Sequence, residues 1–117
     1  MSPLADAAVA LGVHDTAVFP PDLPVFAGHF PGNPVVPGVH QLALIVASVQ
    51  QRSGSPWSLH AIVHAKWPAV ARPGEMLAVS ATWTRDGDLL HVRGRVMRGE
   101  VLTCACRLLL RERWERT

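Results

Sequence analysis

An α+β domain, with one central helix wrapped by an antiparallel sheet, is the fold class that this sequence of 117 residues predicts. Three observations predict it: a loop dense in proline and glycine, one apolar segment of helical length after it, and four strand-like segments that follow. The apolar segment has no polar face to present to water, so a sheet curled around it is required. The length favours a single domain, residues 1–117.

Composition restricts the classes of function. Hydrophobic residues make up 49% of the chain and charged residues 17%, which favours a subunit whose faces are covered by partner subunits. The formal net charge of +2 is too small to predict a nucleic-acid surface. No apolar run approaches the roughly 20 residues that cross a bilayer, and residues 1–11 lack the basic start of a signal peptide. We therefore expect a cytoplasmic protein that binds neither nucleic acid nor membrane.

The elements follow in order along the chain. A first strand is expected at residues 15–19, and the active-site loop region at residues 14–38 contains six prolines and three glycines from position 20 onward. Residues 39–52 are expected to form the central helix, which Gly54 and Pro56 end. The antiparallel strands of region 57–111 are expected at 57–67, 76–84, 89–97 and 101–110, with an Asp-Gly hairpin turn at 86–87.

Two residue types in the strand region have simple interpretations. Cys104 and Cys106 are two residues apart, so both point to one face of a strand and are expected to be buried thiols. A C-x-C pair alone is not a zinc signature, and we predict no metal and no cofactor. Most of the arginines lie between Arg85 and Arg116 and are expected to be solvated. The alternative for some of them is an acidic partner, such as a carrier protein.

Residues 26–39 carry the clearest chemistry, because a histidine, His29, lies there in a loop held by three prolines. The loop runs directly into the helix, so the amides of Gly38 and Val39 lie at its positive end. Such amides can hold a developing oxyanion, and an imidazole fixed beside them suits proton transfer next to a carbonyl. A loop histidine taken alone is usually structural, and that alternative stays open at this point.

The sequence of residues 28–39, GHFPGNPVVPGV, resembles the G-H-F-P-G-x-P-V-x-P-G-V signature of the FabZ-type 3-hydroxyacyl-carrier-protein dehydratases. Lys66 and Trp67, followed by RPGE at 72–75, are similar to the aromatic and P-G-D segment of that family. Residues 37–42, PGVHQL, resemble the P-G-V-x-Q-L variant of the aryl-polyene (ApeI-like) dehydratases. The likeness therefore covers most of the chain.

This resemblance implies a hot-dog fold, in which an antiparallel sheet wraps a long helix and two subunits associate through their sheets. It implies a 3-hydroxyacyl thioester on the phosphopantetheine arm of acyl carrier protein, in fatty-acid, polyketide or aryl-polyene synthesis. His29 becomes the base that removes the proton next to the thioester carbonyl, and Gly38 becomes the oxyanion donor. Phe30 is expected to line the acyl channel, and Val39 and Gln41 are further substrate-binding candidates.

The sequence departs from the family where the helix carboxylate of the other subunit is expected, because that position is Ala43. A methyl group exchanges no proton, and general acid–base catalysis is worth roughly 100- to 10,000-fold. His40, three residues earlier on the same helical face, is the candidate replacement as an acid or a water-positioning residue. The alternative is that His40 caps or packs at the helix start. His60 and His64, four apart, are expected on one strand face as packing or surface residues.

Three functions remain open at this stage. The first is a (3R)-3-hydroxyacyl-carrier-protein dehydratase with an atypical active site. The second is a non-catalytic hot-dog subunit that binds acyl thioesters, or that pairs with an active homologue supplying the carboxylate. The third is a thioesterase, against which Ala43 and the G-H-F-P-G signature both count. We expect a homodimer or a higher homo-oligomer, with a hetero-oligomer containing a related subunit as the alternative.

Overall fold

The computed structural model describes residues 16–26 and 34–113 of the chain. Its elements in these ranges are β1 Thr16–Ala17, a turn of 3-10 helix at Pro24–Phe26, α1 Gly38–Ser53, β2 Trp57–Lys66, β3 Leu77–Asp86, β4 Leu89–Arg98 and β5 Val101–Glu112. One long helix and an antiparallel sheet confirm the predicted α+β class. No helix in the described ranges combines the length and apolarity needed to cross a bilayer.

The five strands form a single sheet in the order β1-β3-β4-β5-β2, and all neighbours are antiparallel. β3, β4 and β5 follow one another as hairpins. The first turn is Gly87 and Asp88, one residue later than the predicted centre at 86–87, because Asp86 pairs with Leu89 in the strands. Only Thr16 and Ala17 of the expected first strand are in a strand, and Asp15 lies outside the described residues. β2 lies at the edge of the sheet beyond β5.

Helix α1 packs against one face of this sheet, and seven consecutive residues, 40–46, are buried. Ile45 is fully buried. A Cβ atom added to Gly94 of β4 would lie 2.5 Å from Cγ2 of Ile45, so glycine at this position allows the helix to approach the strand closely. Phe19 and Phe26, from the segment before the helix, belong to the same core. The prediction of a helix enclosed on all sides is confirmed for residues 40–46, about two turns of α1.

β5 alternates between the helix side of the sheet and an outer side. Cys104, Cys106 and Leu108 are buried on the helix side, whereas Arg107 is exposed on the outer side. Both cysteines are free thiols. The expectation of two buried thiols on one face of a strand is confirmed.

β2 is irregular, because its register with β5 shifts between Leu59 and Ala61 and again between Ile62 and His64. Each shift adds a residue that breaks the alternation of side chains. Spacing alone therefore cannot place His60 and His64 on the same face. His64 pairs with Arg107 of β5, and both histidines are exposed.

Candidate active site

Helix α1 begins without a side-chain cap, because Pro37 occupies the N-cap position. The backbone N–H of His40 donates to the carbonyl oxygen of Pro37 at 3.0 Å. The N–H groups of Gly38 and Val39 meet no acceptor among the described residues. Two unpaired amides at the positive end of a helix dipole can bind a carbonyl oxygen or an oxyanion.

An indole ring lies against this helix start. A Cβ atom added to Gly38 would be 2.5 Å from Cε2 of Trp67 and 2.8 Å from its Nε1. Glycine is therefore required at position 38 because a side chain there would clash with Trp67. Its backbone conformation does not require glycine, since its φ is not positive. Trp67 remains 44% exposed. No local sequence signal indicates this contact, because 29 positions separate the two residues.

His40, in the first turn of α1, is 8% exposed. Its ring packs edge-on against Phe19, with the centroids 5.9 Å apart. Its Nδ1 atom is buried and has no hydrogen-bond partner in the described part of the chain. Burial lowers the pKa of His40 below its ordinary value, so the imidazole is neutral at neutral pH.

Ala43, the position of the family carboxylate, is buried at 9% exposure. It lies three residues after His40 on the same side of the helix. His40 and Arg52 are the ionisable residues of α1, and Arg52 lies in its exposed last turn. The buried part of the helix therefore offers His40 as its single group able to exchange a proton.

Gln41 joins the helix to the sheet. It is 2% exposed, and the hydroxyl of Thr103 lies 2.8 Å from its Oε1. The same hydroxyl lies 3.1 Å from the carbonyl oxygen of Val96, and its single proton serves one of these acceptors at a time. The structure thus places the Gln41 side chain against β5, and the role of Gln41 in substrate binding stays a prediction.

His29 and Phe30 lie outside the described residues. The chain on either side of them is held: Phe26 is buried, and the N–H of Val36 donates to the carbonyl oxygen of Ala71 at 2.7 Å. The structure therefore brings together Gly38, Val39 and His40 with Trp67 at the helix start. The expected roles of His29 and Phe30 stay predictions.

Comparison with known proteins identifies relatives of this chain. The model of the ApeI-like family, described as ApeI dehydratase, matches residues 12–103. The 3-hydroxyacyl-(acyl-carrier-protein) dehydratase FabZ of Lactobacillus helveticus is 36% identical over 70 residues, which are 54% of this chain and 47% of the relative. FabZ of Levilactobacillus brevis is 32% identical over 91 residues, or 71% and 62% of the two chains. The chain thus spans about half to three fifths of the length of these relatives.

A solved structure shares the architecture. A chain of the dehydratase heterocomplex ApeI:P from Xenorhabdus doucetiae superposes with a TM-score of 0.65 and 24% identity, over 87% of this chain and 92% of that one. Likeness at this level of identity concerns the fold, and it confirms the hot-dog fold that the sequence motif implied.

Proposed function

We propose, since the chain belongs to the ApeI-like dehydratase family, that it removes water from 3-hydroxyacyl thioesters carried by an acyl carrier protein. The observation that carries this proposal is the uncapped start of α1, where the N–H groups of Gly38 and Val39 meet no acceptor among the described residues and Gly38 lies against the indole of Trp67. A thioester oxygen bound by these amides gains the charge stabilisation that loss of the neighbouring proton requires. A cytoplasmic location is part of the proposal.

In the proposed reaction His29 takes the proton from the carbon next to the thioester carbonyl. The electron pair of that C–H bond forms the new C=C bond, while the C–O bond to the 3-hydroxyl group breaks. The hydroxyl leaves as water after it receives a proton, which the His29 imidazolium formed in the first step supplies directly or through a water. One proton is removed and one is supplied, so the reaction needs no oxidant or cofactor.

The group that assists the departing hydroxyl is the atypical part of this site, because Ala43 cannot do so. His40 is near Ala43, and its buried Nδ1 is unpaired among the described residues. The lowered pKa of His40 leaves it neutral, which disfavours its use as a protonated acid. We therefore assign His40 a hydrogen bond to the leaving hydroxyl or to a water beside it.

A second candidate function is favoured by the edge strand β2. Leu59, Ile62 and Val63 are exposed there by 43%, 50% and 58%, and an apolar edge strand of this length favours pairing with another chain. Two copies of this chain would both contribute Ala43. A related subunit with a helix carboxylate would complete the site around His29, so the second candidate is a subunit of such a hetero-oligomer. The ApeI:P structure is itself named as a heterocomplex.

One experiment distinguishes these functions. The purified protein is incubated with a 3-hydroxyacyl carrier protein, and mass spectrometry follows the loss of one water. Dehydration by the protein alone supports the first function. If dehydration occurs only after a carboxylate-bearing family member is added, and the variant His29→Ala of this chain abolishes it, the second function is supported. Release of the free 3-hydroxy acid would identify a thioesterase, and neither binding nor reaction would contradict all three.

A further inference from the structure

A short segment after β2 contacts the chain on both sides of the loop that contains His29. The backbone N–H of Val36, which follows the loop, donates to the carbonyl oxygen of Ala71 at 2.7 Å. The N–H of Gly74 donates to the carbonyl oxygen of Phe19, which precedes the loop, at 2.9 Å. The two hydrogen bonds therefore attach both ends of the loop to one segment.

These points of attachment are buried and belong to the surroundings of the helix start. Phe19 and Ala71 are fully buried, and Val36 is 4% exposed, so water does not compete for the two hydrogen bonds. Phe19 also packs against the ring of His40, and Val36 directly precedes Pro37, the N-cap residue of α1. The segment therefore fixes the ends of the loop relative to the start of α1.

Residues 72–75 form a tight turn in this segment. Pro73 and Gly74 are its central residues, and Gly74 has a φ of 85°, which favours glycine at the third position of a type II turn. The N–H of Glu75 donates to the carbonyl oxygen of Arg72 at 3.3 Å. In the opposite direction, the N–H of Arg72 donates to Oε1 of Glu75 at 2.6 Å. The side chain of Glu75 therefore closes the turn a second time.

The other carboxylate oxygen of Glu75 faces the sheet. Its Oε2 lies 3.6 Å from Nε of Arg98, the last residue of β4, and both side chains are part-buried. This distance is too long for a hydrogen bond, and Nε of Arg98 has no hydrogen-bond partner among the described residues. The attraction is electrostatic, and it is screened less than that of a fully exposed pair. Glu75 thus connects the turn to β4.

We infer that Glu75 is a positioning residue for His29, an inference that rests on the proposed function. Its carboxylate holds the turn, and the backbone groups of Gly74 and Ala71 hold the two ends of the loop. A catalytic group displaced by about 1 Å can lose about 100-fold in rate. The amides that bind the thioester oxygen belong instead to α1. Loss of the carboxylate should therefore lower kcat more than it weakens thioester binding.

The test is Glu75→Ala, with Glu75→Gln as the conservative variant and Glu100→Ala as a control that removes an exposed carboxylate from the turn between β4 and β5. Rates are measured with a 3-hydroxyacyl carrier protein, in the presence of the carboxylate-bearing family member where the wild type requires it. Glu75→Ala should lower kcat about 10- to 100-fold and change KM less than about twofold. Glu75→Gln should keep most of the rate, because its amide oxygen still accepts from the N–H of Arg72. Glu100→Ala should match the wild type.

Amide hydrogen exchange provides a measurement that does not depend on turnover. In Glu75→Ala the N–H groups of Val36 and Gly74 should exchange up to about tenfold faster, the effect expected when one hydrogen bond is lost. Amides in the middle of α1 should keep their rates. Glu75→Gln and Glu100→Ala should leave all of these rates unchanged.

Four outcomes would overturn the inference. These are equal exchange of the two loop-end amides in Glu75→Ala and the wild type, faster exchange with an unchanged kcat, faster exchange throughout the chain, or an equal loss of rate in Glu100→Ala. A wild type that dehydrates no thioester under either condition would overturn the proposed function and the role of His29. The exchange rates would then still decide whether Glu75 holds the ends of the loop.

Discussion

The two ends of helix α1 each combine a glycine with a tryptophan, yet the two glycines are required for different reasons. Gly54, after the last turn, has a φ of 71°, and its N–H donates to the carbonyl oxygen of Gln50 at 3.0 Å. A Cβ atom there would meet nothing within 4 Å, so the conformation alone favours glycine. At Gly38 the backbone is ordinary, and the indole of Trp67 takes the space of a side chain.

The tryptophans differ in the same way. Trp57, near the end of the helix, is 2% exposed, and its Nε1 donates to the Ser53 hydroxyl at 3.2 Å. Its carbonyl oxygen accepts from Gln50 at 3.1 Å. At the start of the helix, two amides and Nδ1 of His40 have no partner within residues 16–26 and 34–113, and Trp67 is half-exposed. The closed end contributes stability, whereas the open end costs stability and is available for chemistry.

The largest effect is expected from Ala43→Glu, which places a carboxylate at the family position in the first half of α1. Dehydration of a 3-hydroxyacyl carrier protein should rise about 100-fold or more, because a general acid–base group is regained. Ala47→Glu, one turn further along, is the matched control and should leave the rate unchanged. Steady-state rates, with thermal melting as a check on folding, measure both. An Ala43→Glu variant that folds but dehydrates no faster than the wild type would show that the site lacks more than the carboxylate.

Gly38→Ala tests the contact at the open end directly. It should lower the free energy of unfolding by about 1–3 kcal/mol, because the new methyl group overpacks against Trp67. It should also weaken thioester binding. Gly54→Ala should cost about 1 kcal/mol through its backbone conformation and leave thioester binding unchanged. Urea denaturation and ligand titration measure these quantities.

The double variant Gly38→Ala with Trp67→Leu is the control for this contact. Without the indole, the added methyl group should cost less than it does in the wild-type background. Equal costs in the two backgrounds would mean that Trp67 does not restrict position 38.

Thr103→Val should have an effect on stability of similar size to that of Gly38→Ala, at a contact between α1 and β5. It removes the hydroxyl beside Gln41 in a buried place, and the unpaired amide should lower the free energy of unfolding by about 1–3 kcal/mol. Ser58→Ala removes an exposed hydroxyl that donates to the carbonyl oxygen of Arg111 at 3.4 Å, and should be nearly neutral. Denaturant titration compares the two, and similar losses would argue against a specific role for the buried contact.

The pH dependence of stability should change with His40→Gln, by the smallest of the effects on the free energy of unfolding. The folded state lowers the pKa of His40, so the unfolded chain takes up a proton first as the pH falls below about 6.5. The wild type should therefore lose stability from that pH downward and hold it above. His40→Gln should show a flatter profile between pH 7.5 and about pH 5, because the exposed histidines are common to both proteins. Parallel curves would contradict burial of a neutral His40.

Much of this fold could be predicted because its signals are local. The apolar run before Gly54 predicts the helix, and the observed Gly38–Ser53 extends it by one residue at each end. The Asp-Gly pair predicts the turn between β3 and β4. The alternation of side chains along a strand predicts that Cys104 and Cys106 lie on one face, and both are in the core. For His60 and His64 the alternation does not decide a shared face, because β2 has two register shifts, and both side chains are exposed.

The candidate site was only partly predictable, since its contacts join distant positions. The motif locates Gly38 and Val39 at the helix start and shows that position 43 has no carboxylate. It does not reveal that Trp67 covers Gly38, that His40 packs on Phe19, or that Gln41 turns toward Thr103. Each of these depends on how the sheet folds around the helix.

By itself the sequence determined the class of fold, the family, the positive helix end and the loss of the helix carboxylate, because each follows from residue identity or short-range periodicity. Tertiary structure alone decided which residues surround that helix end and that Arg93 lies opposite Arg107. The physical reason is that strand register and helix packing minimise the free energy of the whole core. No local segment contains the information that sets them.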